Sequence, residues 1–249
     1  MASRSCLAAV IVASLGLASA ARAMGGADCA PEQLAPVDAW LAQHPWPAGA
    51  TVPGARVAAA CKPWPSDKAT LIVAAAHAQD QDKGKNLVVA LVDTKTMAVR
   101  SAFQGTVRED GTWSVAQGGL RIDTAPYELA PGVRAVGVDV ASEPVAGTLV
   151  RDGVTATRSL FVADGPRLRL VLDGFVLATW RQDAGAPPAS SSAAIALEAH
   201  RTNGFADLRI TRTSTTAGTT KQDRTTLVYD GVHYAAGASW VRHEIEPQR

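Results

Sequence analysis

The chain has 249 residues, 47% of them hydrophobic and 19% charged, with a formal net charge of +1. That length supplies one large domain or two small ones, and plentiful apolar residues at low net charge exclude a disordered chain. Near-neutrality removes the electrostatic basis for binding nucleic acid or an anionic membrane.

Residues 1–23 read as a secretory signal peptide. Arg4 supplies a positive start, Leu7 to Ala18 form an apolar run, and Ala21-Arg22-Ala23 is a small-residue cleavage site, with Ala18-Ser19-Ala20 as a second. The run is shorter than the roughly 20 residues that cross a bilayer, so cleavage after Ala23 is expected and no membrane span remains. Neither Cys6 nor Cys29 follows a small-residue lipobox, so no lipid anchor is expected. These features place the product in the periplasm or outside the cell. Losing Arg4 and Arg22 leaves 22 of the 24 basic residues against 23 acidic ones, a net charge of −1. Cys6 leaves with the signal, and the remaining pair, Cys29 and Cys61, reads as a disulfide. No CxxC pair or tight Cys/His spacing points to a metal instead.

Residues 28–44 carry a helix pattern: Asp28 as cap, Pro31 in the first turn, and Leu34, Val37, Trp40 and Leu41 on one face. Pro36 inside it predicts a later start or a kink, and Pro45 ends it. Residues 45–66 are rich in Pro, Gly and Ala, with Pro-Trp-Pro at 45–47 and 63–65, and are expected to be extended or turn-like. From residue 69 short β-type runs follow: 69–76, 86–93, 97–103, 112–116, 119–124, 133–140, 155–163, 167–173, 174–181, 193–200, 206–213, 224–229 and 232–236. Leu168, Leu170 and Leu172 alternate with Arg167 and Arg169, which predicts one wet and one dry face and hence antiparallel sheets. Asp-Gly at 110–111, 152–153, 164–165, 173–174 and 230–231 reads as hairpin turns, making 155–181 a three-stranded meander. Residues 182–192 read as a surface linker and 214–223 as a solvated hairpin tip. The expected fold is mainly β, with antiparallel sheets as a partial propeller or a β-sandwich and a short N-terminal helix. Its parts are the signal (1–23), a helical and Pro-rich appendage (24–68) and one antiparallel β domain (69–249).

Sites are sparse. Asp80 and Asp82 have the D-x-D-x-G rhythm of a calcium loop, but Lys83 and Lys85 lie beside them and Leu91 stands where a bidentate Glu belongs, so a polar hairpin loop is favoured. His44, His77, His200, His233 and His243 form no ligand motif. There is no nucleophile elbow, P-loop or G-x-G-x-x-G, and Glu109-Asp110 is the only acidic doublet. No cofactor is implied. Trp113 and Trp180, inside β runs, suit packing, while Trp46 and Trp64, among prolines, are the candidates for contact with another surface.

Residues 203–210 (NGFADLRI), then Tyr229-Asp230-Gly231 and Tyr234, resemble one blade of the integrin-type (FG-GAP, VCBS-like) β-propeller repeats of exported bacterial proteins. The resemblance covers about 32 residues and implies calcium in an acidic loop and a ligand-binding propeller. Here His200, Arg201 and Thr202 stand where that loop would be, and no motif repeats along the chain.

The functional expectation is an exported, non-catalytic binding protein with a protein or glycan partner in the envelope. The alternatives are an envelope-polymer hydrolase whose groups converge from separate strands, and a calcium-stabilised β module. A concave pocket with convergent titratable groups would favour the hydrolase, and a flat apolar patch the binder.

Overall fold

The computed structural model describes residues 29–46, 54–79, 84–110, 113–143, 151–182, 185–236 and 245–247. The expected signal peptide lies outside the described residues, as do Asp80 and Asp82.

The chain enters through helix α1 (Pro31–Gln43). Ala30 occupies the N-cap, and its backbone N–H donates to the Gln33 side chain at 2.9 Å, while Pro31 begins the helix where a missing N–H costs nothing. The helix starts at Pro31, so the later start is not found, and it runs through Pro36, which lies past the first turn and forgoes the hydrogen bond to the Glu32 carbonyl. Strands β1 (Arg56–Trp64), β2 (Asp67–Ala78), β3 (Gly84–Asp93) and β4 (Val99–Arg108) form an antiparallel meander. Next come β5 (Ser114–Asp123), β6 (Glu128–Ala130), β7 (Val133–Glu143), β8 (Asp152–Asp164) and β9 (Arg167–Arg181). In this half β7 pairs with β5, β6 and β8, and β8 pairs with β9, all antiparallel. Strands β10 (Ala189–Thr202), β11 (Phe205–Thr216) and β12 (Thr219–Leu227) form an outer sheet that branches from the end of β9, and β13 (Ile245–Pro247) lies on β4.

These strands form one nearly closed, barrel-shaped sheet. The two halves meet where β4 and β9 touch in parallel at Ala102 and Arg167. There the Ala102 N–H donates to the Pro166 carbonyl at 3.1 Å and the Ser101 hydroxyl to the Gly165 carbonyl at 2.6 Å. On the far side β1 runs beside β5, joined by Lys62 Nζ donating to the Ile122 carbonyl at 3.3 Å. The barrel shape is compatible with the propeller-like reading, and the outer sheet stacked on the barrel wall gives a local sandwich.

Three cores follow from this arrangement. The barrel interior holds Ile72, Leu87, Val89, Phe103, Leu120 and Phe161. The outer sheet covers a second core of Leu160, Phe175, Leu208, Ile210, Tyr229 and Tyr234. Beneath α1 a third core joins Leu34, Val37, Leu41 and Trp46 to Leu71, Val73, Val88 and Val92. Burying each such side chain stabilises by roughly 1.5–3 kcal/mol. Strands β2 and β3 are therefore covered on both faces, with Ile72 and Leu87 facing the interior and Val73 and Val88 facing the helix. A doubly buried strand reads as a continuous apolar run, which is how ATLIVAAA and NLVVALVD appear.

Several boundaries differ from the sequence expectation. Residues 56–64 of the Pro-rich segment are a true strand, β1, paired along β2. The runs 112–116 and 119–124 are represented by one strand, β5, kinked at Gly118 with φ +66. The runs 167–173 and 174–181 are likewise one strand, so Asp173-Gly174 is a bulge and not a turn. Gly174 has φ 50, and its N–H donates to the Ser159 hydroxyl at 3.1 Å, filling the place of a skipped ladder bond. Asp152-Gly153 opens β8, whereas the β8–β9 turn is Gly165-Pro166, flanked by the paired Asp164 and Arg167. The surface linker is shorter than expected because β10 begins at Ala189. The tip at 214–223 is mostly ladder, turning only at Ala217-Gly218. Residues 232–236 form no strand beyond the Tyr229–Tyr234 bridge.

Candidate binding groove

A concavity lies at the end of the barrel where β8 and β10 begin and β9 and β11 end. Cross-strand register builds its wall in rows. Asp152, Arg181, Ala189 and Thr216 are successive partners across β8, β9, β10 and β11. The neighbouring row sets Gly153 against Trp180 and Trp180 against Ser190. Asp110 and Trp113 close the opposite side, held as a tight bridge by reciprocal backbone hydrogen bonds of 3.1 and 3.4 Å. The groove has a volume of about 490 Å³. A second depression, of about 380 Å³, shares the lining residues Trp180, Arg181, Ala189 and Ser190 with it.

The lining is mixed and largely polar. The residues lining the groove include Ser190, Ser191, Ser214 and Thr216, the acidic Asp110 and Asp152, and the basic Arg181 and Arg212. Adjacent rows project from opposite faces of the sheet, so Gly153, Trp180 and Ser190 share one face while Asp152, Arg181, Ala189 and Thr216 share the other. Arg212 is half-buried, and desolvation lowers its pKa while Asp223 opposite it on β12 opposes that shift. Trp180 is half-buried too. Its indole lies against the backbone of Gly153: a Cβ there would stand 3.1 Å from Trp180 Nε1. Glycine leaves this space, and a Cβ would require the indole to give by a few tenths of an ångström.

The residues singled out in the sequence are dispersed. Cys29 and Cys61 are joined in a disulfide that ties α1 to β1. Trp46 is 3% exposed, inside the core beneath the helix, so it offers no surface to a partner. Trp64 is half-buried at the other end of the barrel, lining a depression of about 380 Å³ with Asp67, Arg100 and Arg134. There Arg100 pairs with both Asp67 and Asp93. Among the described residues no group of three His, Cys, Asp or Glu could hold a metal ion. Glu109 is structural: it pairs with Lys85 at 2.7 Å and accepts the Val115 N–H at 2.7 Å.

Among the described residues the histidines do not converge, and His243 lies outside them. His44 stacks on Trp40, with ring centroids 4.2 Å apart. His77 is buried, with Nδ1 3.3 Å from the Gly54 carbonyl. His200 is largely exposed on β10, its Nδ1 2.6 Å from the buried Asp207 carboxylate on β11. Burial raises the Asp207 pKa, but hydrogen bonds from His200 and Thr202 outweigh it and leave the group below its ordinary value. This pair sits ten residues along β10 from Ser190, roughly 30 Å away at strand rise, and so is not part of the groove.

The N-G-F-x-D-L and Y-D-G-x-x-Y residues are brought together, but as an interlock. Asn203 and Gly204 make the β10–β11 turn with φ 50 and 88, as a type I′ turn requires. Asn203 Nδ2 donates to the Tyr229 carbonyl at 2.8 Å, Phe205 stacks on Tyr229 at 4.5 Å, and the Tyr234 hydroxyl donates to the Ala206 carbonyl at 2.6 Å. Arg169 braces the group from β9, donating to the Tyr229 hydroxyl at 2.5 Å. Asp230 accepts the Val232 and His233 N–H groups, at 2.7 and 2.8 Å, and closes its own turn.

The chain matches no family model, no curated protein and no solved structure. The resemblance to integrin-type repeats therefore has no family support, and its residues have a structural explanation in this interlock. Sequence reading had assigned Trp180 to packing and passed over Asp152, Arg181 and Arg212. The available signal was the Ser/Thr/Arg texture of 189–216, too polar for a strand buried on both faces.

Proposed function

We propose that this chain is an exported, non-catalytic binding protein whose ligand seats in the groove around Trp180. The observation that carries the reading is the lining itself: Trp180 beside hydroxyl-bearing residues and charges of both signs, carried on paired strands. Ligand sites combine an apolar surface with a few fixed polar groups, and sites on strands hold their geometry. The Cys29–Cys61 disulfide fits an oxidising compartment. Among the described residues no helix is long and apolar enough to cross a membrane.

One observation favours the hydrolase reading: Asp110 and Asp152 line the same groove, as paired carboxylates would. Against it, an acid catalyst is made by an apolar or like-charged surrounding, whereas Asp152 has Arg181 as its cross-strand partner. Thermal-shift assays with peptide, glycan and lipid fractions of an envelope extract separate the readings. The binding reading expects one fraction to raise Tm and to be recovered unchanged, with the shift lost in Arg212→Ala. Turnover of the fraction would establish the hydrolase, and an undiminished shift in Arg212→Ala would remove the groove from either reading.

A further inference from the structure

We infer that this protein forms a two-fold symmetric dimer through the free edge of β12, which pairs with the same strand of a second copy. Among the described residues β12 pairs only with β11, and Thr219 to Arg224 are all exposed. Two devices that blunt a sheet edge are missing: the strand runs along β11 without a bulge, and it contains no proline. The third device, charge, is present but arranged so that it can pair. The hydrogen-bonding direction of the edge follows from the turn before it. Ala217 and Gly218, with φ 51 and 78, make a two-residue type I′ turn between the partners Thr216 and Thr219. Such a turn closes on a hydrogen-bonded pair, so Thr219 faces β11. Alternation along the ladder then points the N–H and C=O groups of Thr220, Gln222, Arg224 and Thr226 away from β11. Side chains agree: the Thr215 and Thr220 hydroxyls meet at 3.2 Å and Gln222 donates to Thr213 at 3.4 Å, the closer approach of non-hydrogen-bonded partners.

Charge selects one register. In an antiparallel pair of copies, outward groups must oppose outward groups, so even-numbered residues face even-numbered ones. A two-fold axis at Gln222 sets Lys221 opposite Asp223 twice, once in each direction, with Thr220 opposite Arg224. The Lys–Asp pairs fall at non-hydrogen-bonded positions, where facing side chains are nearest. An axis at Lys221, Asp223 or Arg224 would instead set that charge against itself. Within the chain Asp223 lies opposite Arg212 and Lys221 opposite the uncharged Ser214. In the dimer each Asp223 therefore stands between its own Arg212 and Lys221 of the second copy. The backbone bonds hold the two edges together, and these exposed pairs fix which residues meet.

The test is sedimentation equilibrium of the purified protein over a concentration series. The inference expects a concentration-dependent equilibrium between monomer and dimer. Lys221→Asp should weaken dimerisation about tenfold or more, because both attractive pairs become repulsive, and Asp223→Lys should do the same. An equimolar mixture of the two variants should recover the dimer, since every Asp then faces a Lys. Gln222→Pro removes an outward N–H at the axis, so it should abolish the dimer while the circular dichroism and Tm of the monomer stay close to the parent's. A protein that is monomeric at every concentration would overturn the inference, as would a dimer unaffected by both Gln222→Pro and Lys221→Asp. A dimer that survives Lys221→Asp, or a mixture that fails to recover it, would overturn the register whether or not the proline variant folds.

Discussion

Single residues set how this protein responds to acid. His77 is 3% exposed, and desolvation, its largest influence, lowers its pKa from the ordinary 6.5. The unfolded chain therefore takes up a proton near pH 6.5 that the folded chain refuses, and stability falls as pH drops from there toward the folded pKa. Asp67 and Asp93 act lower down. Hydrogen bonds from Thr70 and the Ala69 N–H depress Asp67, and those from the Thr96 N–H, Arg100 and the Lys95 N–H depress Asp93. Their contribution is complete above the ordinary carboxylate value of 3.8 and is lost as pH falls below it. Tm measured against pH should show two separate declines, one beginning near 6.5 and one below about 4. His77→Gln should flatten the first and leave the second, and a first decline that persists in the variant would assign it to another group. His77 was visible in the sequence only as one of five scattered histidines, because its environment comes from Gly54 and the helix edge packed over β2.

At the scale of elements, glycine decides more than hydrophobic pattern does. Gly174 holds φ 50 in the middle of β9, where the strand bulges opposite Ser159. A Cβ in that conformation costs roughly 1–2 kcal/mol, so Gly174→Ala should lower the denaturation midpoint with the m-value unchanged. No change in midpoint would mean the bulge relaxes into a regular ladder. The same dipeptide shows where sequence reading fails. Asp164-Gly165 and Asp173-Gly174 look alike on paper, but only the first ends a strand, because a positive φ serves a bulge as well as a hairpin. Which one forms depends on whether the partner strand continues, and β8 does continue past Ser159. The strands at 69–76, 86–93, 133–140 and 206–213 were legible because their apolar content exceeds any turn signal. β1 was obscured by the prolines around it, although its pairing with β2 runs from Arg56 to Trp64.

For the whole molecule, the N-terminal helix and the barrel depend on each other. The disulfide closes a loop between residues 32 apart, worth roughly 3–4 kcal/mol in chain entropy. Removing it with Cys29→Ser and Cys61→Ser together should lower stability by about that amount, measured by urea denaturation. The outer faces of β2 and β3 should then gain solvent exposure first, seen as faster amide exchange at Val73 and Val88. Unchanged stability would place the helix's attachment wholly in Leu34, Val37 and Leu41. The groove was not legible in the sequence because Asp152, Trp180 and Arg212 come from three different strands and meet only through register. What their spacing could not show, the β8–β9–β10–β11 rows supply.

That convergence can be read directly from the six tryptophans. Each gives one indole N–H resonance in a two-dimensional NMR spectrum, and Trp180→Phe assigns the one that matters. Titrated with the envelope fraction that raises Tm, the Trp180 resonance should shift progressively while those of Trp40 and Trp64 stay in place. A Trp180 resonance that does not move while the ligand demonstrably binds would contradict the groove as the site.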